Sequence, residues 1–157
     1  MSFAVIGLDH VQLAMPRGGE AVAEAFYSGL LGLTRLPKPE PQASRGGCWF
    51  ASGCLALHLG VEDDFRPAKK AHPALLIRNL AGLTSALAKA GIMVSPNPDL
   101  AVGEGYYLED PFGNRLELIG VAETGVAETG VAETGVAEAG AGEAGAGEAG
   151  AGSSTKA

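Results

Sequence analysis

Residues 107–118 read YLEDPFGNRLEL, and this stretch decides how the chain folds. Both of its ends alternate apolar and polar residues, which is typical of half-buried strands. Its centre, Asp110 to Asn114, brings together the proline, glycine and asparagine that favour a tight turn. We therefore predict a hairpin whose second strand directs Leu116 and Leu118 to the core and Glu117 to the opposite face of the sheet.

The order strand, helix, strand, strand, strand occurs twice along the chain, and this hairpin closes the second occurrence. Each helix has apolar residues along one side, and a glycine, Gly32 or Gly91, follows it as a C-cap. The pattern predicts strands over residues 7–15, 34–36, 46–52, 54–61, 72–78, 92–95, 105–109 and 115–119, and helices over residues 20–31 and 80–90. We predict an α+β fold of two tandem βαβββ modules, about residues 6–62 and 70–120, which form a concave mixed sheet with the helices on its other side.

The last part of the chain has a different composition. Residues 121–157 contain only Gly, Ala, Val, Glu, Thr, Ser and one Lys, and part of this stretch repeats the pentapeptide GVAET. Because nothing large and apolar can be buried there to offset chain entropy, we expect a disordered tail after a folded domain of residues 1–120. The tail also carries most of the formal net charge of −7. The near-neutral domain lacks the basic face that a nucleic-acid-binding protein needs.

Other classes of protein are excluded by what the sequence lacks. No apolar run is long enough to cross a membrane, and the N-terminus has no signal-peptide pattern. Two cysteines, Cys48 and Cys54, are too few for a disulfide framework and have no second pair with which to form a zinc ribbon. We therefore expect a reduced cytoplasmic protein that binds neither membranes nor nucleic acid.

Three histidines and one glutamate fall on the predicted inner face of the sheet. His10 lies opposite the apolar side of the first strand, and His58 alternates with leucines in the fourth. His72 opens the first strand of the second module, and Glu117 alternates with leucines in the last. Taken singly, each fits an ordinary hydrogen-bonded strand residue at least as well as a functional one.

The duplicated pattern resembles the vicinal oxygen chelate superfamily, which includes glyoxalase I, fosfomycin-resistance thiol transferases, extradiol dioxygenases and bleomycin-binding proteins. The resemblance covers about residues 6–120 and is specific for the fold rather than for one reaction. The segments that carry it are LDHVQL (8–13), AFYSGLLGL (25–33), LHLG (57–60), HPALLI (72–77) and YLEDPFGNRLEL (107–118).

The resemblance implies a metal site. In metal-dependent members the ligands come from the first strand of each module and the last strand of the second, positions that are His10, His72 and Glu117 here. Glyoxalase I has a fourth ligand, usually Glu, where this chain has His58, which is therefore either a fourth ligand or a substrate contact. Such a set suits one divalent Fe, Mn, Ni, Co or Zn ion per site, with Glu117 as the catalytic proton carrier.

The implied function is that of a metal-dependent enzyme of the glyoxalase type, a lyase, isomerase or transferase acting on a vicinal-oxygen or thiol-adduct substrate. Dioxygenase activity is less favoured because most such enzymes have four modules. Thiol transfer is less favoured because the potassium loop and the Ser and Arg contacts of the fosfomycin enzymes are not evident. The alternative is a non-catalytic binding protein of the bleomycin-resistance type. Relatives also imply a homodimer, and Gln12, Trp49 and Tyr106 are candidates to line the cavity.

Overall fold

The computed structural model describes residues 2–100 and 103–122, which form two modules with the same order of elements. The first module contains β1 (Val11–Met15), α1 (Glu20–Glu24) with a π-helical turn (Ala25–Leu30), β2 (Thr34–Leu36), a 3-10 turn (Ala43–Arg45), β3 (Cys48–Ser52) and β4 (Leu55–Val61). The second contains β5 (Ala74–Ile77), α2 (Leu80–Lys89), β6 (Ser95–Pro96), β7 (Gly105–Glu109) and β8 (Arg115–Gly120). The predicted duplication is confirmed.

Each module forms one four-stranded sheet, and the two sheets have the same topology. The strand orders are β1-β4-β3-β2 and β5-β8-β7-β6. The first and last strands of each module run parallel, whereas the remaining pairs are antiparallel. As a result β1 and β5 are edge strands, and each has one side that bonds to no other strand of its sheet.

The alternation of side chains along the strands sets which face becomes the core. Leu57 and Leu59 of β4 are buried, and so are Leu116 and Leu118 of β8. Removing each leucine from water contributes about 1.5–3 kcal/mol. The residues between them, among them His58, face the other side of the sheet, as the period of two requires.

The loop of the β7–β8 hairpin joins the two modules. The buried carboxylate of Asp110 accepts hydrogen bonds from the Tyr27 hydroxyl at 2.8 Å and from the backbone of Phe112 and Asn114. The Asn114 amide donates to the carbonyl oxygen of Ala14 in β1 at 2.9 Å. Burial, together with the charge of Asp110, raises the pKa of Tyr27, so the hydroxyl stays a donor.

The structure corrects several predicted boundaries. β1 begins at Val11 rather than at residue 7, because β4 starts at Leu55 and offers no partner to residues before Asp9. The helix predicted over residues 20–31 changes to a π-helical turn after Glu24, where two consecutive aromatic residues are buried. The strand predicted over residues 92–95 is β6 at Ser95–Pro96, and β5 excludes His72.

No helix in the described part of the chain is long and apolar enough to cross a membrane. The prediction of a disordered tail concerns residues 121–157, nearly all of which lie outside the described residues.

Candidate functional site

The inner face of the second sheet holds a histidine–carboxylate pair. The Nε2 atom of His72 lies 3.1 Å from Oε2 of Glu117, and both side chains are mostly buried. On its other side, Nδ1 of His72 lies 2.7 Å from the carbonyl oxygen of Lys70. A carbonyl oxygen can only accept, so Nδ1 carries the proton and Nε2 is the nitrogen that faces the carboxylate.

Neighbouring side chains fix both members of this pair. The Asn97 amide donates to Oε1 of Glu117 at 2.6 Å, which leaves Oε2 directed at His72. The Tyr107 ring meets the His72 ring edge to face at 5.4 Å between centroids. The guanidinium of Arg115 lies over the Tyr107 ring, 5.1 Å from its centroid, and restrains it.

The inner face of the first sheet holds a column of stacked rings. His58 lies between His10, at 4.3 Å between centroids, and Trp49, at 4.4 Å. Asp9 bonds to Nδ1 of His10 at 2.6 Å, and the Lys38 ammonium lies 5.9 Å from the centroid of the Trp49 ring. Burial lowers the pKa of His58, and the neighbouring His10 and Lys38 lower it further.

The structure therefore divides the predicted ligands into two groups. It brings His72 to Glu117, and it brings His10 to His58, but it does not join the two groups. Within residues 2–100 and 103–122 no three His, Cys, Asp or Glu side chains lie close enough to hold one metal ion. Between β1 and the segment that precedes β5 lies a cleft of about 340 Å³ whose lining includes Gln12, Arg66 and His72.

The cavity-lining predictions need one correction. Gln12 and Trp49 pair with His58 across the first sheet and lie on its inner face. Tyr106 pairs with Leu118 and packs partly against the core, so it lies on the opposite face from Glu117. Tyr107 is the residue beside Glu117.

Two neighbours of the His72–Glu117 pair were not predicted from the sequence. Tyr107 could have been found by counting outward from the hairpin loop, since residues equally far from its centre pair across an antiparallel ladder. Asn97 follows the two-residue strand β6 and has no periodic signal around it, so only the folded chain reveals its contact with Glu117.

Comparison with solved structures gives three informative matches. A glyoxalase family protein from Bacillus anthracis is 42% identical, with 78% of this chain and 100% of that chain covered and a TM-score of 0.73. A glyoxalase/dioxygenase from Nostoc punctiforme is 20% identical, with 78% and 100% covered and a TM-score of 0.61. The fosfomycin resistance protein FosX from Listeria monocytogenes, as a mutant complexed with Mn(II) and a dihydroxypropylphosphonic acid, is 16% identical, with 76% and 95% covered and a TM-score of 0.64. The last two show the fold alone. No protein-family model and no curated protein matches the chain.

Proposed function

This chain belongs to the glyoxalase family of the vicinal oxygen chelate superfamily, and from that premise we propose that it is a divalent-metal-dependent enzyme acting on a small molecule. The substrate class we propose is a compound with two adjacent oxygens or a thiol adduct of one. The observation that supports this proposal is the arrangement of the His72–Glu117 pair, whose acceptor atoms face each other at 3.1 Å.

The donor set of this pair fits a divalent ion. The Nδ1–H of His72 is engaged by Lys70, so a neutral imidazole presents its Nε2 lone pair to the Glu117 carboxylate. Two acceptors at this distance need a positive charge between them, supplied either by a second proton on His72 or by a metal. Nitrogen and oxygen donors suit Fe, Mn, Co, Ni and Zn, and the fosfomycin resistance protein of similar fold holds Mn(II).

A bound ion would act as a Lewis acid toward the oxygens of the substrate. The residues of the chain have separate tasks. Glu117 would hold the ion through Oε2 and, once displaced from it by the substrate, would accept a proton from the substrate at that atom and return it, while Asn97 keeps Oε1 in place. Tyr107 and Arg115 hold the His72 ring in the orientation that the site needs. Burial of Glu117 excludes water and strengthens every charge interaction around it.

The third ligand in this proposal is His10, and it requires a second copy of the chain. The contacts of Asn114 and Asp110 fix the two modules in an arrangement in which His10 stacks on His58. A homodimer in which each chain supplies His10 to the other chain's pair would complete the set. The unpaired Cys48 and Cys54 suit the cytoplasmic setting that belongs to the proposal.

Metal content of purified protein tests the proposed function. We expect about one divalent ion per chain, and Glu117→Gln should weaken metal binding by at least about tenfold, because a ligand is lost and second-shell changes alone cost about 10–100-fold. The matched control is Glu109→Gln, which removes an exposed carboxylate of β7 that forms an ion pair with Lys69. Unchanged occupancy in Glu117→Gln, or equal losses in both variants, would contradict the proposal.

The ring column favours a second candidate function, non-catalytic binding of a small molecule. His10, His58 and Trp49 offer stacked aromatic edges with Lys38 near one end. Such a surface can bind an apolar or planar compound without any metal. Ligand affinity that is unchanged after metal removal, together with absent turnover, would favour this candidate over the enzyme.

A further inference from the structure

The cleft between β1 and the segment before β5 has one strongly charged side chain in its lining. Among the described residues that line it, Arg66 is the only Lys, Arg, Asp or Glu. The rest of the lining is apolar, apart from Gln12, His72 and Asn114. A concave surface with charge of one sign attracts ligands of the opposite sign, because its low-dielectric walls focus the field. The cleft is therefore suited to an anion.

The guanidinium of Arg66 is available to a ligand. Arg66 is exposed, and within residues 2–100 and 103–122 no carboxylate lies within ion-pair distance of it. Arg17, in contrast, lies 2.8 Å from the Asp63 carboxylate. A guanidinium presents its N–H donors in a planar fork that matches two oxygens of a carboxylate or phosphoryl group. Arg66 thus has the donor geometry for an oxyanion and no protein carboxylate that occupies it.

The segment that carries Arg66 is anchored on both sides. Before it, the Phe65 ring meets the Phe112 ring edge to face at 6.4 Å between centroids. After it, the backbone N–H of Ala68 donates to Oδ1 of Asn114 at 3.1 Å, and the Ala68 carbonyl oxygen accepts from the backbone of β8 at 2.9 Å. The backbone at Arg66 is therefore fixed before a ligand arrives, which lowers the entropic cost of binding.

A second cavity, on the first module, has the opposite arrangement of charge. It measures about 480 Å³, and its lining includes Arg35, Lys38 and Glu20. A hydrogen bond from the backbone of Gly47 lowers the pKa of Glu20, and the charges of Arg35 and Lys38 lower it further. Glu20 therefore serves as the anion for both cations of that cavity. The lining of the cleft at Arg66 includes no such carboxylate among the described residues, so the cleft is the better anion site.

We propose that Arg66 binds an oxyanion group of the substrate, a carboxylate or a phosphoryl group, and thereby selects anionic substrates. The inference rests on the proposed function, since the molecule that enters the cleft is taken to be the substrate. His72 lines the same cleft, so one small molecule can reach Arg66 with its oxyanion and the His72–Glu117 pair with its other oxygens. The volume of about 340 Å³ lies within the range of small-molecule pockets.

Titration of the full-length protein with two anions tests this role. After metal is removed by dialysis against a chelator, NMR would follow the binding of acetate and of methylphosphonate at constant ionic strength, with chloride as the background anion. We expect saturable binding of at least one probe, and Arg66→Gln should weaken it by at least about tenfold, because charge-assisted hydrogen bonds are lost. Arg66→Lys should recover part of the affinity, since lysine keeps the charge but not the paired donors. The probe that binds more tightly identifies the oxyanion.

The matched control is Arg17→Gln, which removes the same charge from an exposed arginine already paired with Asp63. It should change the affinity by less than about twofold, because salt screens exposed charges. Absence of saturable binding in the parent protein, or equal losses in Arg66→Gln and Arg17→Gln, would overturn the role of Arg66.

Titration with Mn(II) separates this inference from the proposed function. Arg66→Gln should bind Mn(II) as tightly as the parent protein, because Arg66 is not a ligand. Anion binding that depends on Arg66 in a protein that takes up no metal would overturn the metal-dependent enzyme alone. Metal binding without anion binding that depends on Arg66 would overturn the anion site alone.

Discussion

The two modules have the same strand topology, yet equivalent positions on their inner faces carry different chemistry. His10 corresponds to His72, and Trp49 corresponds to Tyr107, so each face has an imidazole and an aromatic ring in the same places. The last strands differ, because His58 of β4 stands where β8 has Glu117. In the first module the result is a stack of rings, and in the second it is a hydrogen-bonded pair.

This one difference changes how each face responds to charge. In the first module His58 stacks on a second imidazole. Burial is the main cause that lowers the pKa of His58, and the neighbouring His10 lowers it further. In the second module a carboxylate takes the place of the second imidazole, and its oxygen lies 3.1 Å from Nε2 of His72, an arrangement of donors that suits a metal ion. The two modules thus share the positions of an imidazole and an aromatic ring, and the difference between His58 and Glu117 distinguishes a stacking surface from a candidate metal site.

The largest expected loss of stability comes from breaking the contacts through which Asn114 joins the two modules. Asn114→Ala removes the side-chain hydrogen bonds to Ala14, Asp110 and Ala68 and leaves buried polar groups without partners. We expect the free energy of unfolding to fall by about 3 kcal/mol, measured by chemical denaturation. Tyr27→Phe removes one bond to Asp110 and should cost about 1 kcal/mol. Equal, small losses in both variants would mean that the loop does not couple the modules.

Asn97→Ala sharpens the comparison of the two inner faces. When the Asn97 amide is removed, the Glu117 carboxylate loses the contact that orients Oε1. We expect metal affinity to fall about 10–100-fold while the fold is retained. Isothermal titration with Mn(II) measures this change. Gln42→Ala, which removes an exposed amide from the loop after β2, should leave the affinity unchanged. Equal losses in both variants would contradict the role given to Asn97.

Replacement of His58 tests whether the ring column contributes a ligand. His58→Ala should retain the metal, because His10, His72 and Glu117 complete a three-ligand site without it. Loss of two stacking contacts should lower the free energy of unfolding by about 1 kcal/mol. Elemental analysis and thermal unfolding of the same preparation give both values. Loss of the ion in His58→Ala would make His58 a fourth ligand.

The smallest effect concerns acid stability of the first module. The backbone N–H of Gly47 donates to Glu20, and this bond holds the pKa of Glu20 below its ordinary value of 4.5. A carboxylate with a depressed pKa stabilises the fold above pH 4.5, and that contribution disappears as pH falls through the lowered pKa. Glu20→Gln should therefore be slightly less stable near neutral pH and should converge with the parent in acid. A difference that widens in acid would contradict this sign.

Much of this fold could be predicted from local pattern, because alternation in β4 and β8 fixes which residues enter the core. Pattern alone misplaced the start of β1 at Gly7, since β4 has no residue to pair with Gly7 or Leu8. It assigned Tyr106 rather than Tyr107 to the inner face because the choice depends on hairpin register. The separation of His10 from His72 could not be predicted, because it depends on long-range contacts made by Asn114.

The most direct test of a site shared between the two sheets of different chains is complementation in a mixed dimer. We would co-express His10→Ala and Glu117→Gln chains with different tags, purify the dimers that carry both tags, and measure metal at a concentration that leaves each parent variant empty. The account predicts that metal returns to about half the wild-type amount per chain, because one of the two sites combines an intact His10 with an intact His72–Glu117 pair. Mixed dimers that stay as empty as the parents would contradict it, since a site contained within one chain cannot be restored by mixing.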